Sequence, residues 1–147
     1  VSYIDIDEGL RQADVIVCAM NLTSDNAGYF DENRLSKAKR GALFINIARG
    51  EHAPAAGLLR LLESGRLGGV GIDVYNDEQN LAAALRSGTR PGDPESQAVL
   101  ALAERPDAIL TPHNAFNTQE AVARKAAQSI EQILALIRDG AFRWAVD

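Results

Sequence analysis

Short apolar runs alternate along this chain with segments whose apolar positions recur every three or four residues. Residues 14–19, 42–47, 70–75 and 108–111 are near-continuous apolar runs of strand type. Between them, residues 7–12 form a short helical pattern. Asp31 is placed to cap a helix running to Lys39, with Gly41 at its C-terminal end. Pro54 suits a first helical position, and Leu58, Leu61 and Leu62 make one stripe until Gly65. Near-continuous apolar strands separated by helices predict a parallel sheet covered on both faces. Right-handed crossovers then bring every strand's C-terminal end to one edge.

Two stretches depart from this rhythm. Residues 76–106 form a long connection with short helical patterns at 81–85 and 97–103, separated by the turn-rich segment 87–94. A connection of that length in a compact unit is often functional. Residues 118–139 carry Ala123, Ala126, Ala127, Ile130, Ile133, Leu134 and Ile137 on one helical stripe closed by Gly140, and that stripe calls for a partner surface.

Composition narrows the picture. At 147 residues, 46% hydrophobic and 24% charged, the chain suits one soluble domain with a real core. A net charge of −5 and the lack of a basic stripe argue against nucleic acid and anionic membranes as partners. No apolar run reaches the ~20 residues of a membrane span. The lone Cys18, in an apolar run, reads as a buried side chain in a reducing compartment. The chain starts at Val1 without a methionine, which suggests a fragment whose start has been lost.

The chemistry gathers at strand ends. Arg49 follows the strand 43–47, and its guanidinium can bind a carboxylate through two parallel hydrogen bonds. Gly50 lets the chain turn after it. Asp73 lies in an apolar strand and needs a donor, such as a ligand amide. Glu78 follows five residues on, and His113 ends the run 109–112. A carboxylate beside an imidazole orients it and favours its charged form, so the pair could exchange a proton with a carbonyl or an alcohol. Taken singly, each also reads as an ordinary surface or loop residue. Their shared edge is what favours a site for a small carboxylate. His52, in a polar turn, reads as an ordinary loop histidine, and no metal ligands are assigned.

The segments Gln12-Ala13-Asp14-Val15-Ile16-Val17, residues 39–50 (Lys-Arg-Gly-Ala-Leu-Phe-Ile-Asn-Ile-Ala-Arg-Gly), residues 67–75 (Leu-Gly-Gly-Val-Gly-Ile-Asp-Val-Tyr) and Ile109-Leu110-Thr111-Pro112-His113-Asn114-Ala115 resemble the D-isomer-specific 2-hydroxyacid dehydrogenases. The run from Thr111 to Thr118 looks closer to the D-lactate dehydrogenase branch. The resemblance implies an α/β fold: the C-terminal half of a Rossmann-type doubly wound parallel sheet, plus a long C-terminal helix returning to a substrate domain outside these residues. Residues 1–112 would be a partial NAD-binding domain, and 113–147 the hinge, C-terminal helix and tail.

It also implies roles. Arg49 would bind the substrate carboxylate, and His113 would be the acid/base oriented by Glu78. Met20, Asn26, Ile47, Ala48, Arg49 and Asp73 would contact the cofactor, with Asp73 accepting from the nicotinamide side. The cofactor would be NAD, with NADP left open because the selecting residue is not in the chain. The substrate would be a small 2-keto or 2-hydroxy acid, and the parent a cytoplasmic homodimer. No G-x-G-x-x-G occurs in these residues, so the chain alone is expected to be inactive and to bind cofactor poorly, with β-edge exposure at its first strand. Departures from the family pattern are Ala19-Met20-Asn21 where many members carry His-x-Pro, Ala53-Pro54 where many carry Val-Asp, and Gln79 where proline is common. Two other classes remain open: a nucleotide-sensing, corepressor-like regulator on the same fold, and an interaction module using the 130–137 stripe.

Overall fold

The computed structural model describes residues 2–144. The chain divides into two units, 1–113 and 114–147. The first contains α1 (Ile6–Gln12), β1 (Val15–Cys18), α2 (Glu32–Leu35), β2 (Ala42–Asn46), α3 (Ala55–Glu63), β3 (Leu67–Ile72), α4 (Glu78–Ser87), α5 (Pro94–Ala103) and β4 (Ala108–Leu110). A single 3-10 turn, Gly50–His52, lies between β2 and α3.

The four strands form one parallel sheet in the order β1-β2-β3-β4. Spatial order equals chain order, so every right-handed crossover steps the same way and lands its helix on the same face. That face carries the core. Ile16, Cys18, Phe44, Val70 and Ile72 from the strands pack with Leu10, Leu35, Leu58, Leu61, Leu62, Val99 and Leu102 from the helices. The expectation of a sheet covered on both sides is corrected here. On the opposite face Val15, Val17, Leu43 and Ile109 are 49%, 52%, 43% and 71% exposed. Covering that face takes a crossover in the other direction from β1, and these four strands contain none.

Local chemistry sets the helix boundaries. The Asp31 carboxylate accepts from Arg34 N–H and caps α2 as expected, but α2 ends at Leu35 instead of Lys39. Beyond it, Lys37 and Ala38 N–H bond back three residues, and Lys39 N–H leaves to join Leu10 O of α1 at 2.8 Å. Pro54 sits one position before α3, with extended ψ, and not in its first turn. The α3 N-terminus is capped from a distance instead: the Glu95 carboxylate of α5 accepts from Ala55 and Ala56 N–H at 2.6 and 3.3 Å. Such a carboxylate satisfies orphan donors and complements the helix dipole. Asp93 caps α5 through Ser96 N–H, which holds its carboxyl below the usual range.

The second unit contains α6 (Gln119–Asp139). Thr118 accepts from Ala121 N–H at its start, and Gly140 closes it with φ +72°. Ile130, Ile133, Leu134 and Ile137 are exposed. The tail folds back on this helix, where Gln132 Oε1 accepts from Arg143 and Trp144 N–H. The expected course of residues 145–147 lies outside the described residues.

Candidate active site

The C-terminal residues of the four strands stand in one row. Cys18 is opposite Asn46, Asn46 opposite Ile72, and Ile72 opposite Leu110. Met20, Arg49, Asp73 and His113 each lie one to three residues beyond this row. Neighbouring strands are about 4.8 Å apart, so the segments after β2 and β4 are separated by roughly 10 Å, within reach of a small substrate.

The β3–β4 half of this edge is tightly bonded. Asp73 is buried, at 4% exposure, just past the end of β3 rather than inside it. Its N–H continues the ladder to Asn46 O, and its carboxylate accepts from Thr111 Oγ1. His113 Nδ1 lies 3.0 Å from Glu78 Oε2. A carboxylate only accepts, so the proton of this contact sits on Nδ1. The other Glu78 oxygen accepts from Tyr75 N–H at 3.2 Å. Both side chains are about two-fifths exposed. Asp77, immediately before Glu78, and His113 are the non-glycine residues with positive φ among the described residues, at 54° and 50°. Left-handed backbone costs such residues on the order of 1 kcal/mol and gathers at functional sites.

The β1–β2 half is more open. Ala19, Met20, Asn21, Leu22, Ile47, Ala48 and Arg49 line a cleft of about 530 Å³ between the loops that follow the two strands. Asn46, fully buried, builds the turn that presents Arg49: its Oδ1 accepts from Ala48 N–H and its Nδ2 donates to Arg49 O. Arg49 is an exposed residue, and its guanidinium donates to Ala48 O. Gly50 is required by closeness, since a Cβ there would lie 2.1 Å from the Tyr75 carbonyl carbon. The Arg49 turn and the β3–Glu78 segment therefore pack backbone to backbone.

Asn26 does not line the cleft. Its Oδ1 accepts from Thr23 N–H and its Nδ2 donates to Asn21 O, closing its own loop. His52 is not a polar surface turn residue but fully buried. Its Nδ1 donates to Asn26 O at 3.1 Å, while Gly28 and Phe30 N–H donate to Glu51 and His52 carbonyls. Together these bonds pin the loop after β1 to the Arg49 turn. His52 Nε2 has no hydrogen-bond partner among the described residues. Burial pushes the Cys18 thiol up, away from thiolate chemistry. Among the described residues, no group of three or more His, Cys, Asp or Glu could hold a metal, and no helix is long and apolar enough to cross a membrane.

Residues 1–115 match the family model for the D-isomer specific 2-hydroxyacid dehydrogenase NAD-binding domain. The chain belongs to this family. It is 33% identical over 134 residues to glycerate dehydrogenase of Methylorubrum extorquens, covering 91% of this chain and 38% of that one. It is 30% identical over 141 residues to D-lactate dehydrogenase of Streptococcus agalactiae, covering 95% and 42%. Among solved structures, D-2-hydroxyisocaproate dehydrogenase superimposes with a TM-score of 0.87 at 28% identity, over 98% of this chain and 43% of that one. D-lactate dehydrogenase from Aquifex aeolicus, solved with NAD and lactic acid, gives 0.80 at 27% identity, over 99% and 45%. The chain thus spans about two-fifths of the length of these relatives.

The site suits the nicotinamide end of NAD. Met20 and Ile47 offer apolar surface at the cleft, and Asp73 is a buried acceptor on the same sheet edge, where open α/β sheets receive dinucleotides. Asn46, Thr111, Tyr75 and His52 were not assigned site roles from sequence. Asn46 and Thr111 had one available signal, a polar residue at the end of an apolar strand. The burial of His52 depends on pairing with residues 26–30 and left no local trace.

Proposed function

We propose that the protein containing this chain is an NAD-dependent dehydrogenase that interconverts small 2-keto acids and D-2-hydroxy acids, with lactate-like substrates favoured. The observation that carries this reading is the Glu78–His113 dyad on the same sheet edge as the exposed residue Arg49. NADH, when bound, supplies the hydride to C2. Arg49 grips the substrate carboxylate through two parallel hydrogen bonds and fixes which carbon faces the cofactor. His113 Nε2 gives a proton to the C2 oxygen during reduction and takes it back during oxidation. Glu78 holds the ring through Nδ1 and stabilises the imidazolium of the oxidative direction. Met20, Ile47, Ala48 and Asp73 bound the nicotinamide, and Asn26 acts by shaping the loop that carries Met20. The division into a partial NAD-binding domain, 1–112, and a hinge, helix and tail, 113–147, belongs to this reading. So does a cytoplasmic homodimer, on the strength of family likeness.

The test is a panel of small 2-keto acids with NADH, run on the native gene product beside His113→Asn. Turnover that the variant lacks supports the reading. NADH binding without turnover on any keto acid would favour a regulatory protein on the same fold. The isolated 147 residues, lacking a glycine-rich phosphate turn, are expected to show no NADH-dependent turnover, measured by the same assay.

A further inference from the structure

One residue is tied to both members of the dyad, to Glu78 directly and to His113 through Thr111. The Tyr75 N–H donates to Glu78 Oε1 at 3.2 Å, and the Tyr75 hydroxyl donates to Thr111 O at 2.8 Å. The same Thr111 carbonyl accepts from His113 N–H at 3.0 Å. That bond spans two residues and closes a tight turn centred on Pro112, at whose end His113 adopts φ 50°. The circuit is complete: Tyr75 N–H to Glu78, Glu78 to His113 Nδ1, His113 N–H to Thr111 O, and Thr111 O back to the Tyr75 hydroxyl.

We infer that Tyr75 is a positioning residue for proton transfer, its hydroxyl fixing the carbonyl on which the His113 turn is built. This rests on the proposed acid/base role of His113. The tyrosine acts through Thr111 and His113 and needs no contact with substrate. A donor in that place must keep its proton, and Tyr75 does. Burial, with Asp73 and Glu78 nearby, pushes its hydroxyl up to about 12, so it stays a donor across the working pH range. The hydroxyl also lies 3.3 Å from Ile72 O, which already accepts from Thr111 N–H. The shorter contact, to Thr111 O, is therefore the principal one.

The loss of one neutral hydrogen bond beside a left-handed turn predicts a defect in alignment more than in affinity. The experiment is Tyr75→Phe in the native gene product, which keeps the ring and the N–H to Glu78. In 2-keto acid reduction, kcat should fall about 5- to 10-fold while KM for the keto acid stays within about two-fold. The second readout needs no turnover. The His113 Nδ1–H proton, assigned by its absence in His113→Asn, should be a slowly exchanging downfield NMR signal in the wild type and broaden into solvent in Tyr75→Phe. A third needs no variant: the Tyr75 hydroxyl proton should itself exchange slowly in the wild type. A kcat within about two-fold and an unchanged Nδ1–H signal would overturn the inference, as would a rapidly exchanging hydroxyl. If His113→Asn retains full turnover, the acid/base reading of the site fails. The Nδ1–H signal then still decides whether Tyr75 holds His113 in place.

Discussion

The two halves of the sheet's C-terminal edge are built differently. Between β3 and β4, Asp73, Tyr75, Glu78, Thr111 and His113 are joined by side-chain hydrogen bonds into one network. Between β1 and β2, an open cleft is lined by Met20, Ile47 and Ala48, and among the contacts described the Arg49 guanidinium bonds only to the preceding carbonyl. On the proposed function, the proton-handling half is the one bonded together, and the half that would grip cofactor and carboxylate is the open one. This division suits the two tasks. Proton transfer needs a fixed geometry and a fixed tautomer. A cofactor cleft needs room for entry and release.

Removing groups from either half should expose the contrast. On the preorganised side, His113→Asn is expected to lower kcat by about 10³-fold with little change in KM, and Glu78→Gln by about 10²-fold, both read from steady-state NADH oxidation. On the open side, Arg49→Lys should reduce kcat/KM by about 10²-fold, with most of the loss in KM, because one ammonium cannot reproduce a two-point grip. A loss confined to kcat would move Arg49 out of carboxylate binding.

Between the halves stands Gly50, pressed on Tyr75 and Asn76. Gly50→Ala must push two backbones apart and should cost about 3 kcal/mol of stability, seen as a lowered Tm, and should weaken both halves at once. An unchanged melting curve would mean that the two segments are not in contact in solution.

The smallest effect is one of pH. Tyr75 ionises near 10.0 when unfolded and at about 12 when folded. Between those values the unfolded chain sheds a proton that the folded chain keeps, so stability falls as pH rises through this window. Tyr75→Phe removes that group, so its unfolding midpoint should decline less steeply from pH 10 to 12 than the wild type's, measured by chemical denaturation.

Much of this arrangement could be read before any coordinates. Apolar runs marked all four strands, and the order of Arg49, Glu78 and His113 placed them on one edge, because parallel strands with right-handed crossovers leave no other choice. What stayed hidden depends on partners distant in sequence. The helix after Asp31 looked longer because nothing local reveals that Lys39 N–H turns to Leu10 O. Pro54 looked like a first-turn residue because the capping carboxylate, Glu95, lies 40 residues away. His52 reads as an ordinary loop histidine because its burial comes from the loop at 26–30. The exposed sheet face was concealed by the strands' own near-continuous apolar composition. Strand composition reports what a strand is suited to contact, and here that exceeds what these residues supply.

The most direct measurement is a double-mutant cycle on Glu78 and His113 in the native gene product, using kcat for 2-keto acid reduction. If the two side chains work as one proton-handling unit, the Glu78→Gln/His113→Asn double variant should be no slower than His113→Asn alone, within about two-fold. Independent, multiplying losses from the two substitutions would contradict the dyad.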